Sequence, residues 1–160
     1  MLDEVSLFLH LVEDKKEGKN QKEGHKKLNL LNNILHDKKV LIVDDDVRNI
    51  YSLTKALEVF KMTIITAFDG NDAIKVLSEN PDTDVVLLDM MMPHMDGYET
   101  AEKIRANPKF LNLPVIAVTA KAMTGDREKC IKAGASDYIT KPVDVDQLLS
   151  LLRVWLYDKV

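Results

Sequence analysis

Cysteine is nearly absent: Cys130 is the one thiol in 160 residues, so no intramolecular disulfide framework and no multi-cysteine metal centre can form. That usage fits a reducing compartment. Long apolar runs are missing too, since Val40-Leu41-Ile42-Val43 and Val85-Val86-Leu87-Leu88 fall far short of the ~18 residues a membrane span needs. The opening Met1-Leu2-Asp3-Glu4 is acidic where a secretory leader is basic. Charge of neither sign dominates. With 22 Lys and Arg against 26 Asp and Glu, the formal net charge is -4, and no broad basic field exists to gather a phosphodiester backbone. These absences predict a soluble cytoplasmic protein that contacts neither nucleic acid nor membrane, with one domain of ordinary size plus some extra chain.

What is present changes character once, near residue 38. Ahead of it, Leu2, Val5, Leu9 and Val12 keep the spacing of one helical face, Glu13 to Lys27 is almost wholly charged or polar, and Leu28, Leu31, Ile34 and Leu35 form a second short stripe. Two short stripes around a polar stretch bury too little surface to offset chain entropy. Residues 1–37 therefore read as a helical, charged linker or interaction segment, and residues 38–158 as the folded domain.

From Lys38 onward, short β-branched runs alternate with amphipathic segments. The runs are Lys39 to Val43, Met62 to Ala67, Asp84 to Asp89, Leu113 to Thr119 and Ser136 to Thr140. Because Leu41-Ile42-Val43 and Val85-Val86-Leu87-Leu88 are apolar at consecutive positions, both faces of those strands must be covered, which predicts a parallel sheet between helix layers. Ile50, Leu53, Leu57 and Phe60 make one helical stripe, and Val145, Leu148, Leu149, Leu152 and Trp155 another. Asp96 with Glu99 three residues on has a capping-box pattern, and Gly134 suits a left-handed helix stop. The alternation predicts a small doubly wound α/β domain.

In such sheets ligands bind beyond the carboxyl ends of the strands. Those ends carry Asp44, Asp45 and Asp46 after the first run, Asp89 after the third, Thr119 after the fourth, and Lys141-Pro142 after the fifth. Clustered carboxylates repel one another unless a cation sits among them, and a few oxygen ligands suit Mg2+, which shares phosphate oxygens, better than zinc. A lysine and a small hydroxyl can bind the remaining oxygens of a phosphoryl group, and Asp89 is placed to act as a nucleophile forming an aspartyl phosphate. Each element has a plainer reading: a solvated Asp turn, a turn cap, a buried hydroxyl, a surface lysine. The signal lies in the conjunction of four strand ends carrying mutually compatible groups.

The stretches Lys39-Val40-Leu41-Ile42-Val43-Asp44-Asp45-Asp46, Leu88-Asp89-Met90-Met91-Met92-Pro93-His94-Met95-Asp96-Gly97, Val118-Thr119-Ala120 and Tyr138-Ile139-Thr140-Lys141-Pro142 resemble the successive motifs of response-regulator receiver domains of two-component signalling. The resemblance implies a flavodoxin-like (βα)5 fold with strand order 2-1-3-4-5. It implies Asp89 as phosphoacceptor from a phosphohistidine, with Mg2+ held by Asp44, Asp45, Asp89 and the backbone carbonyl of Met91. It further implies Thr119 and Lys141 on the phosphate, Thr119 and Tyr138 as a switch, and a cis Lys141–Pro142 bond. A histidine kinase or histidine phosphotransfer protein would be the partner, and the helix 4 to helix 5 face a place for weak homodimerisation. Met91 and Lys121 would tune phosphate lifetime.

Val47 to Thr54, Ala120 to Cys130, and the leading Leu2 to His10 are similar to the terminal receivers of multi-receiver hybrid sensor histidine kinases and the connector before them. The kinase itself is not in this stretch: no Leu-Arg-x-Pro follows His36-Asp37, and no glycine-rich ATP box occurs. No helix-turn-helix domain is expected after the last stripe. Two rival classes stand beside the receiver. A haloacid-dehalogenase-type phosphatase wants Thr or Val where Arg48 stands, and a degenerate, nonphosphorylated interaction module would have no need of Asp44, Asp45, Asp89, Thr119 and Lys141 together. The methionines around residue 91 read as gap fillers beside a partner surface, and Cys130 as a buried thiol.

Overall fold

A computed structural model describes residues 33–92, 94–120 and 125–157. The leading stripes up to Leu31, together with Pro93 and Lys121, lie outside the described residues. The elements run β1 (Lys39–Val43), α1 (Val47–Glu58), β2 (Thr63–Ala67), α2 (Gly70–Glu79), β3 (Val85–Asp89), α3 (Gly97–Ala106), a 3-10 turn (Pro108–Phe110), β4 (Val115–Thr119), α4 (Asp126–Ala133), β5 (Asp137–Thr140) and α5 (Val145–Leu156). The strands form one parallel sheet in the order β2-β1-β3-β4-β5.

Strand alternation divides the core in two. Leu41, Val43, Val86, Leu88, Val115 and Ala117 face the layer of α2, α3 and α4, where Ala73, Leu77, Ala101, Ile104 and Cys130 meet them. Their neighbours Val40, Ile42, Val85, Leu87, Ile116 and Val118 face the layer of α1 and α5. This is why the central strands read as unbroken apolar runs: each consecutive residue has its own hydrophobic partner layer. β2 and β5, at the edges, are only partly buried.

Aspartate sets the starts of α1, α2, α3 and α5, whereas α4 starts after Gly125 without a side-chain cap. The side chain of Asp46 accepts the N–H of Arg48 at 2.9 Å, Asp69 that of Asp72 at 2.7 Å, Asp96 that of Glu99 at 2.9 Å, and Asp144 that of Asp146 at 2.9 Å. Each such cap contributes about 1 kcal/mol. Gly134 closes α4 at φ 120, outside the narrow left-handed helical region but in positive-φ space that glycine tolerates. Val145 departs from its expected stripe, being exposed in the first turn of α5, whereas Phe60, just past the end of α1, still packs half-buried against the layer of Ile50, Leu53 and Leu57.

The packed body begins before Lys38, the boundary at which composition changes. Ile34 and Leu35, in a helical turn at 33–35, are buried in the α1–α5 layer, members of the same cluster as Leu57, Leu152 and Leu156. The chain then turns into β1 through Asp37, whose N–H donates to the Lys61 carbonyl at 3.0 Å.

Candidate functional site

The carboxyl ends of β1, β3, β4 and β5 converge on one rim of the sheet. Asp44 continues β1 by one residue, its N–H donating to the Ala67 carbonyl at 3.1 Å, and this holds the carboxylate at the rim with 3% exposure. Its Oδ1 accepts the Asp46 N–H at 2.8 Å. Its Oδ2 accepts both Asn49 Nδ2 at 3.2 Å and Lys141 Nζ at 3.3 Å. Asp45 is exposed beside it, whereas Asp46 turns away to cap α1 and pair with Arg48, whose guanidinium holds its carboxyl below the usual carboxylate range.

Asp89, the last residue of β3, is 3% exposed. Its Oδ1 accepts the Met91 N–H at 3.0 Å, and its Oδ2 lies 3.5 Å from Lys141 Nζ. Carboxylate oxygens of Asp44, Asp45 and Asp89 all lie within 4.8 Å of one another. Burial pushes the Asp89 carboxyl up to about 6, the charge of Asp44 adds to the rise, and the Met91 N–H and Lys141 offset part of it.

Thr119 ends β4 and is buried, and its carbonyl accepts the Lys141 N–H at 2.7 Å, which fixes where β5 delivers its lysine. The Lys141–Pro142 peptide bond is cis. Tyr138 stands apart from the carboxylates. It pairs with Ala117 in the sheet and packs half-buried against the α2–α3–α4 layer, the face that Thr119 shares by alternation. Met91 offers its main-chain N–H to Asp89 at the site while the residue is 53% exposed; Met90, Met92 and Met95 are buried fillers of the loop. His94 is exposed, and His36 is exposed and bonded to Asp37 at 2.9 Å.

The side chains of Asp44, Asp45, Asp89 and Lys141 are thus brought together, with Thr119 at the adjoining strand end. Asn49 is the member that sequence reading passes over. Its signal is positional: a donor five residues after a strand-end aspartate, in the first turn of a helix whose side chains lean back toward its N-terminus. A cavity of about 260 Å3 opens beside this group, walled by Asn49, Ser52, Leu53, Val118, Pro142 and Val143.

Chemically, three carboxylates gather about one ammonium, which leaves an excess of negative charge; the raised Asp89 carboxyl owes its shift first to burial and only secondarily to the charge of Asp44. An all-oxygen donor set of this kind fits a hard divalent cation such as Mg2+ that retains water and shares phosphate oxygens.

Residues 40–153 match the response regulator receiver domain family. The chain is 36% identical over 115 residues to the response regulator PleD of Caulobacter vibrioides, covering 72% of this chain and 25% of that protein. It is 40% identical over 119 residues to the sensor histidine kinase RcsC of Salmonella typhi, covering 74% of this chain and 12% of that protein. It therefore spans a quarter or less of the length of these relatives. Among solved structures, the receiver domain of a sensor histidine kinase from Pseudomonas aeruginosa PAO1, with a magnesium ion coordinated in its active site cleft, superposes at a TM-score of 0.70 and 31% identity, covering 76% of this chain and 98% of that one. The chemotaxis protein CheY4 of Vibrio cholerae gives 0.71 and 26%, covering 75% and 99%. No helix among the described residues is long and apolar enough to cross a membrane. Fold order, strand-end residues and these likenesses agree: the chain belongs to the response regulator receiver domain family of two-component signalling.

Proposed function

We propose that Asp89 accepts a phosphoryl group from the phosphohistidine of a histidine kinase or histidine phosphotransfer protein, in the cytoplasm, and that the protein is a phosphorelay switch. The observation that carries this reading is the placement of one ammonium, Lys141 Nζ, 3.3 Å from Asp44 and 3.5 Å from Asp89. An oxygen of the Asp89 carboxylate attacks phosphorus, the P–N bond to the donor imidazole breaks, and the imidazole keeps the electron pair and takes a proton. Lys141 offsets charge on the transferring oxygens and Thr119 donates to one of them, so the domain's contribution is mostly positioning and charge neutralisation. Asp44, Asp45, Asp89 and the Met91 carbonyl would hold Mg2+, which when bound neutralises phosphate charge.

The acyl phosphate adds charge and acceptor oxygens that a neighbouring two-state element must read. Thr119 is that reader: drawn toward the phosphate, it vacates space on the face it shares with Tyr138, and Tyr138 turns inward. The surface of α4, β5 and α5 changes with it, for a partner or for a weak second copy of the chain. The parent context we infer is a hybrid sensor kinase with this domain as its terminal receiver, residues 1–37 being the connector. Nothing at the site favours a phosphatase, since Arg48 points away to pair with Asp46.

The test is intact mass after incubation with Mg2+ and a small acyl-phosphate donor. One phosphoryl group is expected on the native chain, none on Asp89→Asn and none in chelator. Addition to Asp89→Asn, or to the native chain without Mg2+, would overturn the assignment. A Thr119→Ala protein that is phosphorylated yet changes partner affinity normally would sink the switch.

A further inference from the structure

Asp44 Oδ2 has two donors of different fates. Lys141 Nζ, at 3.3 Å, also lies 3.5 Å from Asp89 and sits on a long, partly exposed side chain that can follow charge. Asn49 Nδ2, at 3.2 Å, belongs to a short side chain fixed in the first turn of α1, where the Asn49 N–H donates to the Asp46 carbonyl at 3.1 Å. The orientation of the amide is decided by chemistry, because its oxygen in that place would face a carboxylate.

We infer that Asn49 is a positioning residue that holds Asp44 in its ligand-binding orientation, in the unphosphorylated chain as well as when Lys141 is drawn away to a phosphoryl group. The inference rests on the proposed function above. A phosphoryl group arriving on Asp89 offers Lys141 a stronger partner than Asp44, and a carboxylate with Asp46 N–H on one oxygen alone keeps a rotational freedom that its other oxygen must lose to bind a cation. Asn49 removes that freedom without adding charge. It does for Asp44 what hydrogen-bonded outer partners do for metal ligands generally.

The experiment is Mg2+ titration by calorimetry on the native chain, Asn49→Ala and Ser52→Ala, the last a change in the same cavity wall. Phosphorylation by a small acyl phosphate is followed in parallel across Mg2+ concentration. Asn49→Ala is expected to weaken Mg2+ binding about 10-fold and to shift half-maximal phosphorylation to higher Mg2+ by a similar factor, with the rate recovering at saturation. Ser52→Ala is expected to match the native chain. Should Asn49→Ala melt below the assay temperature, Asn49→Leu, close in volume and lacking a donor, gives the same reading. Equal Mg2+ affinity in the native chain and the Asn49 variants would overturn the inference and leave the proposed function standing. No Mg2+ binding by the native chain would overturn that function, and the inference with it.

Discussion

Gly97 stands so close to Asp89 that a Cβ on the glycine would lie 2.6 Å from the Asp89 carbonyl oxygen. It would also lie 2.5 Å from Met90 Cα, so both obstacles are main chain and neither can swing aside. The Gly97 N–H donates to the Met90 carbonyl at 3.2 Å, locking the start of α3 against the loop that follows Asp89. Gly97→Ala is therefore expected to destabilise the fold by about 1–3 kcal/mol, the range for an overpacked site, and to slow acyl-phosphate labelling by displacing the Met91 N–H. Urea unfolding and the labelling rate check the two parts separately.

Asp89 sets a pH dependence whose sign is unusual for an aspartate. Its folded-state carboxyl, pushed up to about 6 by burial from an ordinary 3.8, contributes stability below the ordinary value and loses that contribution as pH rises through the folded one. Asp89→Asn, which cannot ionise, is expected to be more stable than the native chain by on the order of 2–3 kcal/mol at about pH 8, the gap closing toward about pH 4. Thermal melts across pH measure the gap; a constant gap would contradict it.

Lys141 works in the opposite direction. Lys141→Ala leaves Asp44 and Asp89 facing each other without a cation, and with the lysine partly exposed the cost is about 1–2 kcal/mol at about pH 8. The loss shrinks as acid protonates Asp89. Saturating Mg2+ is expected to restore much of the stability while labelling stays slow, since on the proposed function the cation replaces the charge and not the lysine's contact with the phosphate.

Much of this was legible in the residues because it is local. Consecutive apolar positions located β1 and β3, and the residues just after each run, Asp44, Asp89, Thr119 and Lys141, are the ones the sheet gathers at one rim. Parallel strands place all their carboxyl ends on the same side, so order along the chain translates into proximity. What escaped depends on partners far apart in sequence. Ile34 and Leu35 look like linker, yet both are buried in the cluster that also holds Leu57, Leu152 and Leu156. Arg105 belongs to no sequence pattern, yet it donates to the main chain of Phe110 and, 29 residues on, of Gly134.

Leu35 gives the first of these a measurable form. Fully buried, it is expected to cost about 2–4 kcal/mol as Leu35→Ala, and a chain begun at Lys38 is expected to lose at least as much. Denaturant midpoints of the two, compared with the native chain, test whether the domain begins ahead of β1.

Arg105 gives the second. Its Nε donates to the Gly134 carbonyl at 2.8 Å, while its terminal nitrogens donate to the Phe110 carbonyl at 2.6 Å and to Ser136 Oγ at 3.2 Å. Arg105→Met keeps the stem and strips the donors, with an expected loss of about 2–3 kcal/mol. Phosphoryl labelling is expected to be unchanged, because the contacts lie at the opposite end of α4 from the loop after Thr119.

The sheet also acts as a partition. Leu41 looks to one helix layer and Ile42 to the other, so a strand residue answers to a single layer while the strand as a whole answers to both. A helix can therefore be resurfaced for a new interlocutor on one side without unsettling the packing on the other. Diversification is free to proceed in the outer layers, and the strands, serving two cores at once, are where it is held back.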